Sequence, residues 1–93
     1  KYDSKYEVTL LYARALLLFR RKGNTAESLK VLRRAVRANR HVPQILLGRV
    51  PSSPAPSFYA PGSVEEGRYS VFEIGDAWKD TPGALEWLEK HAG

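Results

Sequence analysis

Residues 5–40 read KYEVTLLYARALLLFRRKGNTAESLKVLRRAVRANR, two apolar-rich runs joined at a single glycine. No Gly or Pro falls between Val8 and Phe19, and the run closes on Arg20, Arg21, Lys22 and Gly23. Cations suit the negative end of a helix dipole, and glycine accepts the left-handed backbone that stops a helix. Ser4 followed by Glu7 has capping-box spacing, so a helix is predicted over residues 4–22. At about 100° per residue, Val8, Leu11, Tyr12, Ala15 and Phe19 share one face. Leu10, Leu17 and Leu18 fall on other sides, and only a seam of Glu7, Arg14 and Arg21 is clearly polar. A helix apolar nearly all round is buried on more than one side. It is expected to be the central helix of its domain or to take a further neighbour along Leu10, Leu17 and Leu18.

The second run opens at Asn24 or Thr25, either a suitable cap, and places Glu27 in the first turn where the dipole favours a carboxylate. Leu29, Leu32 and Val36 have the i, i+3, i+7 spacing of a core face, with Ala35 beside them. Lys30, Arg33, Arg34 and Arg37 repeat that spacing on another face. Two helices joined by about two residues must run antiparallel as a hairpin.

Beyond the hairpin, HVPQILLGRVPSSPAPSFYAPGS, from His41 to Ser63, holds five prolines among its apolar residues. Pro43 can start a short helical turn that Gly48 ends. The part from Arg49 to Gly62 sustains neither a helix nor a central strand, because proline lacks a donor and restricts the residue before it. A flexible linker would lack the large apolar groups. Ile45, Leu46 and Leu47 are therefore expected in the core, with the segment through Pro61, including Phe58 and Tyr59, strapped along it. A helix restarts behind the capping-box pair Ser63 and Glu66. Val64, Val71, Ile74, Gly75 and Trp78 are its expected inner stripe, with Phe72 off that stripe and under the strap. Glycine in a helix costs about 1 kcal/mol relative to alanine, so Gly67 and Gly75 are expected where another backbone comes close. Thr81 as cap and Pro82 at the first position open a last short helix that uses Leu85 and Leu88.

The expected architecture is all-α and one domain over residues 1–93. It comprises a helical hairpin (1–40), a short turn and Pro-rich strap (41–62) and a closing helical pair (63–93). With 43% hydrophobic and 27% charged residues the chain is globular, and it has no run of about 20 apolar residues to span a bilayer. No membrane partner is expected. There is no cysteine, which excludes a disulfide framework, a thiolate metal site and a cysteine nucleophile. The opening KYDSKYE has neither methionine nor a basic leader before an apolar stretch, so the expectation is a cytoplasmic piece of a longer protein. The net charge of +5 is uneven: residues 1–49 hold twelve Lys or Arg against three acids, residues 64–90 three against seven. Such polarity either steers an acidic partner or pairs the two halves with each other.

The hairpin resembles a tetratricopeptide unit. Tyr12, Ala15, Leu16 and Phe19 fall at the signature positions of its first helix, Gly23 at its turn, Ser28 and Ala35 at its small positions, and Asn39 just before its usual terminal proline. Leu16 and Ser28 replace smaller residues, and Arg40 stands where proline is usual. Further on, ANRHVPQILLGRVP, YAPGS and TPGALEWL together are similar to the C-terminal segment of the suppressor of tumorigenicity 7 proteins and related bacterial proteins. That resemblance covers nearly the whole chain and implies a tetratricopeptide-like helical fold; it implies no reaction.

Candidate sites follow from the faces. Lys30, Arg33, Arg34, Arg37 and Arg40 offer arginine forks to phosphates or to an acidic peptide, against the plainer alternative of a solvated helix face. Nucleic acid ranks behind a protein partner, because no aromatic residue interleaves with those cations. Leu10, Leu17 and Leu18 are the candidate apolar interface for a protein partner or a neighbouring helical repeat, and for self-association where that side is open. His41 and His91 have no metal-ligand spacing, and His41 is expected to cap the second helix. Glu65 with Glu66 and Asp76 with Asp80 are expected on a helix exterior. No catalytic, metal or cofactor residue is predicted, so the chain reads as a non-enzymatic association or repeat-capping module. Electrostatic binding of nucleic acid or an acidic tail is the alternative.

Overall fold

The computed structural model describes residues 4–50 and 63–92, with side chains from Glu7 onward. Among them are five helices and no strand: α1 Ser4–Lys22, α2 Ala26–Ala38, α3 His41–Leu46, α4 Val64–Asp80 and α5 Ala84–Ala92. The all-α architecture expected from the sequence is present. The side-chain half of the Ser4–Glu7 capping pair, and the strap with Phe58, Tyr59 and Pro61, lie outside the described residues.

α1 ends where the glycine permits. Gly23 has φ 71°, and its N–H reaches the Phe19 carbonyl at 2.8 Å. Thr25 then caps α2: its hydroxyl accepts from the Ser28 N–H at 3.2 Å, and Ser28 Oγ accepts from the Thr25 N–H at 2.9 Å. Ser28 thus fills the acceptor role usual for Glu or Gln. Its Oγ also lies 2.8 Å from the Gly23 carbonyl as donor, which ties the turn to the helix it starts. Glu27 points outward to Lys22, with Nζ and Oε1 2.7 Å apart.

The hairpin is one side of a larger assembly in which α1 packs against α2 and against α4, while α5 touches α2, α3 and α4. α1 is thus covered on two sides, by α2 and by α4. Val8, Tyr12, Ala15 and Leu16 form its buried face, joined by Leu32 and Ala35 from α2, Val42 and Leu46 from α3, Trp78 from α4 and Ala84, Trp87 and Leu88 from α5. Aromatic rings stitch these elements together. Phe19 stacks on Trp87 with centroids 4.6 Å apart, Trp87 lies parallel to Trp78 at 6.2 Å, and Trp78 meets Tyr12 edge-on at 6.4 Å.

Ile45 and Leu46 are buried and Leu47 partly so, as expected. α3 begins at His41, two residues before Pro43. Proline fits there because first-turn N–H groups have no intrahelical acceptor. Gly48, with φ 77°, ends the turn. Thr81 is the C-cap of α4, with its hydroxyl donating to the Ala77 carbonyl at 2.8 Å. It therefore closes the fourth helix, and α5 starts at Ala84 after a turn through Pro82 and Gly83.

Candidate functional site

The inner face of α4 is not the apolar stripe expected. Glu66, Gly67, Ser70, Gly75 and Trp78 are the buried positions, while Val64, Val71 and Ile74 are only partly covered. Glu66, expected outside, is 2% exposed. The reason lies at the end of α2. Asn39 is buried; its Nδ2 donates to Glu66 Oε1 at 3.1 Å and to the Ser63 carbonyl at 2.9 Å, and its Oδ1 accepts from the His41 N–H at 2.8 Å. Its own carbonyl accepts from the Tyr12 hydroxyl at 2.7 Å. Ser63 caps α4 through Oγ, which accepts from the Glu66 N–H at 3.2 Å, while the Glu66 side chain is directed to Asn39.

One asparagine thus joins α1, the end of α2, the start of α3 and the start of α4. Burial of polar groups is tolerable only when each finds a partner, and here the four partners come from α1, α3 and the start of α4. Burial also pushes the Tyr12 phenol well above its ordinary pKa. Gly67 sits beside this junction. A Cβ there would lie 3.1 Å from His41 Cβ and 3.2 Å from Asn39 Oδ1, so the close approach is by side chains of the junction and not by another backbone. At Gly75 the nearest atom would be Val71 Cγ1 of the same helix. His41 opens α3 and does not cap α2; the Tyr12 hydroxyl takes that carbonyl.

The two candidate surfaces lie away from the junction. On α1, Leu10 is 65% exposed and Leu17 51%, one heptad apart on an outward ridge, whereas Leu18 is half-buried. On α2 and just beyond it, Lys30, Arg33, Arg34, Arg37 and Arg40 are all exposed, and among the described residues none forms an ion pair. The pairs present are Lys22 with Glu27 and Arg49 with Glu89, the latter at 3.0 Å. The Lys22 hydrogen bond, then its charge, holds the Glu27 carboxyl below the usual carboxylate range. Arg49–Glu89 is a pair that joins the basic and acidic parts of the chain.

Arg33, Val36, Arg37 and His91 line an open depression of about 280 Å³ between α2 and the end of α5. His91 is isolated from the arginines in sequence; the fold brings it to them. Its ring meets Trp87 edge-on at 6.4 Å. Phe72 is 67% exposed on α4. Among the described residues no three of His, Asp and Glu gather as metal ligands, and no helix is long and apolar enough to cross a membrane. No family model, curated protein or solved structure matches the chain.

Proposed function

We propose that this chain is a tetratricopeptide-like, non-catalytic association module that docks a helical partner or a neighbouring helical repeat of a cytoplasmic parent protein, in the manner suggested by its similarity to the suppressor of tumorigenicity 7 proteins. One observation carries the reading: Leu10 and Leu17 stay exposed on α1, the helix that already packs on α2 and α4. An apolar ridge left open on a helix of a small helical unit is what stacking of repeats covers. The test is affinity capture with the native chain, with Leu10→Asp plus Leu17→Asp, and with Arg33→Glu plus Arg37→Glu. The partner is expected to survive high salt, to be retained by the arginine variant and to be lost by the leucine variant. Equal retention by all three chains overturns the proposal.

The unpaired cations of α2 support a second reading, binding of nucleic acid or an acidic tail. Titration of labelled RNA and duplex DNA separates the two, since phosphate binding weakens steeply with salt and with Arg33→Glu plus Arg37→Glu.

A further inference from the structure

We propose that the depression formed by Arg33, Val36, Arg37 and His91 receives Phe72 of a second copy of this chain, with the arginines of one copy facing the α4 carboxylates of the other. The surface is separate from the leucine ridge of α1.

The depression has an apolar floor at Val36 and a cationic rim at Arg33 and Arg37, one helical turn apart. At about 280 Å³ it is roomy enough for one aromatic ring, since a cavity of about 150 Å³ holds benzene. Arginine is suited to both parts of the proposed ligand. Its guanidinium plane stacks on aromatic faces, and its fork pairs with carboxylates. The matching ligand is an aromatic side chain on a surface with surplus carboxylates, and the chain displays one. Among the described residues Phe72 is the most exposed large apolar side chain at 67%, against 65% for Leu10 and 51% for Leu17. Glu65 one heptad earlier and Asp76 one turn later lie on the same outward strip of α4, with Glu73 and Asp80 also exposed. Arg68, half-buried one turn before Phe72, and Lys79 near the helix end are the cations of that strip, against four exposed carboxylates.

Within one molecule the two parts do not meet. α1 packs against both α2 and α4, and Phe72 points outward from α4. The complementary charges therefore remain available to another copy. Because the two surfaces differ, the contact is heterologous and leaves one basic and one acidic edge open, which extends the assembly into a ring or a chain.

Sedimentation velocity of the native chain over rising concentration, at low and near-physiological salt, tests this together with two variants. Arg33→Glu plus Arg37→Glu spoils the depression; Phe72→Ser spoils the ligand. Both alter exposed positions, and unchanged far-ultraviolet circular dichroism establishes that they fold. The native chain is expected to self-associate, more weakly at higher salt, and each variant alone to lose about tenfold or more in apparent affinity. An equimolar mixture of the two variants restores a single contact and stops at a 1:1 dimer, because each supplies the edge the other lacks. Leu10→Asp plus Leu17→Asp leaves self-association unchanged. A native chain that remains monomeric, variants that associate like the native chain, or a mixture that stays monomeric each overturns the proposal. So does a monomeric native chain that binds a fluorescein-labelled peptide of Asp, Glu and Phe, which assigns the depression to another protein's acidic aromatic segment.

Discussion

The α1–α2 hairpin and the closing part from α3 to α5 are held by different means. In the hairpin, a glycine stop, a threonine cap and periodic apolar residues do the work, each legible within a few residues of its effect. In the closing part, α4 begins with a buried carboxylate, a glycine and a serine, and it is held by a buried asparagine and by the stacked tryptophans of α4 and α5. The contrast teaches that apolar periodicity locates a helix, whereas polar burial and ring stacking locate its neighbours.

The most damaging change should fall on the closing part. Trp78→Ala removes a fully buried ring that touches both Tyr12 and Trp87, and a cost of about 4 kcal/mol is expected for such a truncation. Urea unfolding followed by circular dichroism measures it. A small loss would mean that the rings do not hold the two regions together.

Next comes the junction. Asn39→Ala deletes hydrogen bonds to Ser63, Glu66 and His41, with an expected cost of about 3 kcal/mol because buried groups are left unpaired. Hydrogen exchange sharpens the comparison. Amides of α3 and α4 should lose protection before those of α1 and α2. Uniform loss would show a single cooperative unit.

The smallest effect is expected from Tyr12→Phe, which removes the hydroxyl bonded to the Asn39 carbonyl and costs about 1 kcal/mol. Its pH signature is distinctive. The folded-state pKa of Tyr12 is raised, so its contribution is full below the unfolded tyrosine value of about 10 and falls as pH rises beyond it. Phenolate absorbance should show one tyrosine ionising only as the native chain unfolds in alkali, and Tyr12→Phe should abolish that late step. Early ionisation of every tyrosine would refute the burial of the Tyr12 hydroxyl.

Much of the candidate surface was readable in advance because outward cations at helical spacing need no knowledge of neighbours; Arg33 and Arg37 are where their period puts them. His91 was not, since nothing near it in sequence points to α2. The helical period sets Leu10 and Leu17 apart from the core face, yet whether another helix covers them is beyond any wheel. Leu18, grouped with them, is half-buried instead. Trp87 carries no local signal of its role, because the period of the last helix marks only Leu85 and Leu88 as inward. Its indole N–H donates to Asn24 Oδ1 at 3.0 Å, a partner far away in the chain.

By itself the sequence determined where α1 and α2 begin and end, that α3 stops at Gly48, and that Ser63 starts α4, because caps, glycine stops and periodicity act within a turn or two. Tertiary structure alone decided that Glu66 turns inward, that Asn39 joins four segments, that Phe19, Trp87 and Trp78 stack, and that Leu10, Leu17 and Phe72 remain open. Burial belongs to pairs of surfaces, and the second surface lies elsewhere in the chain.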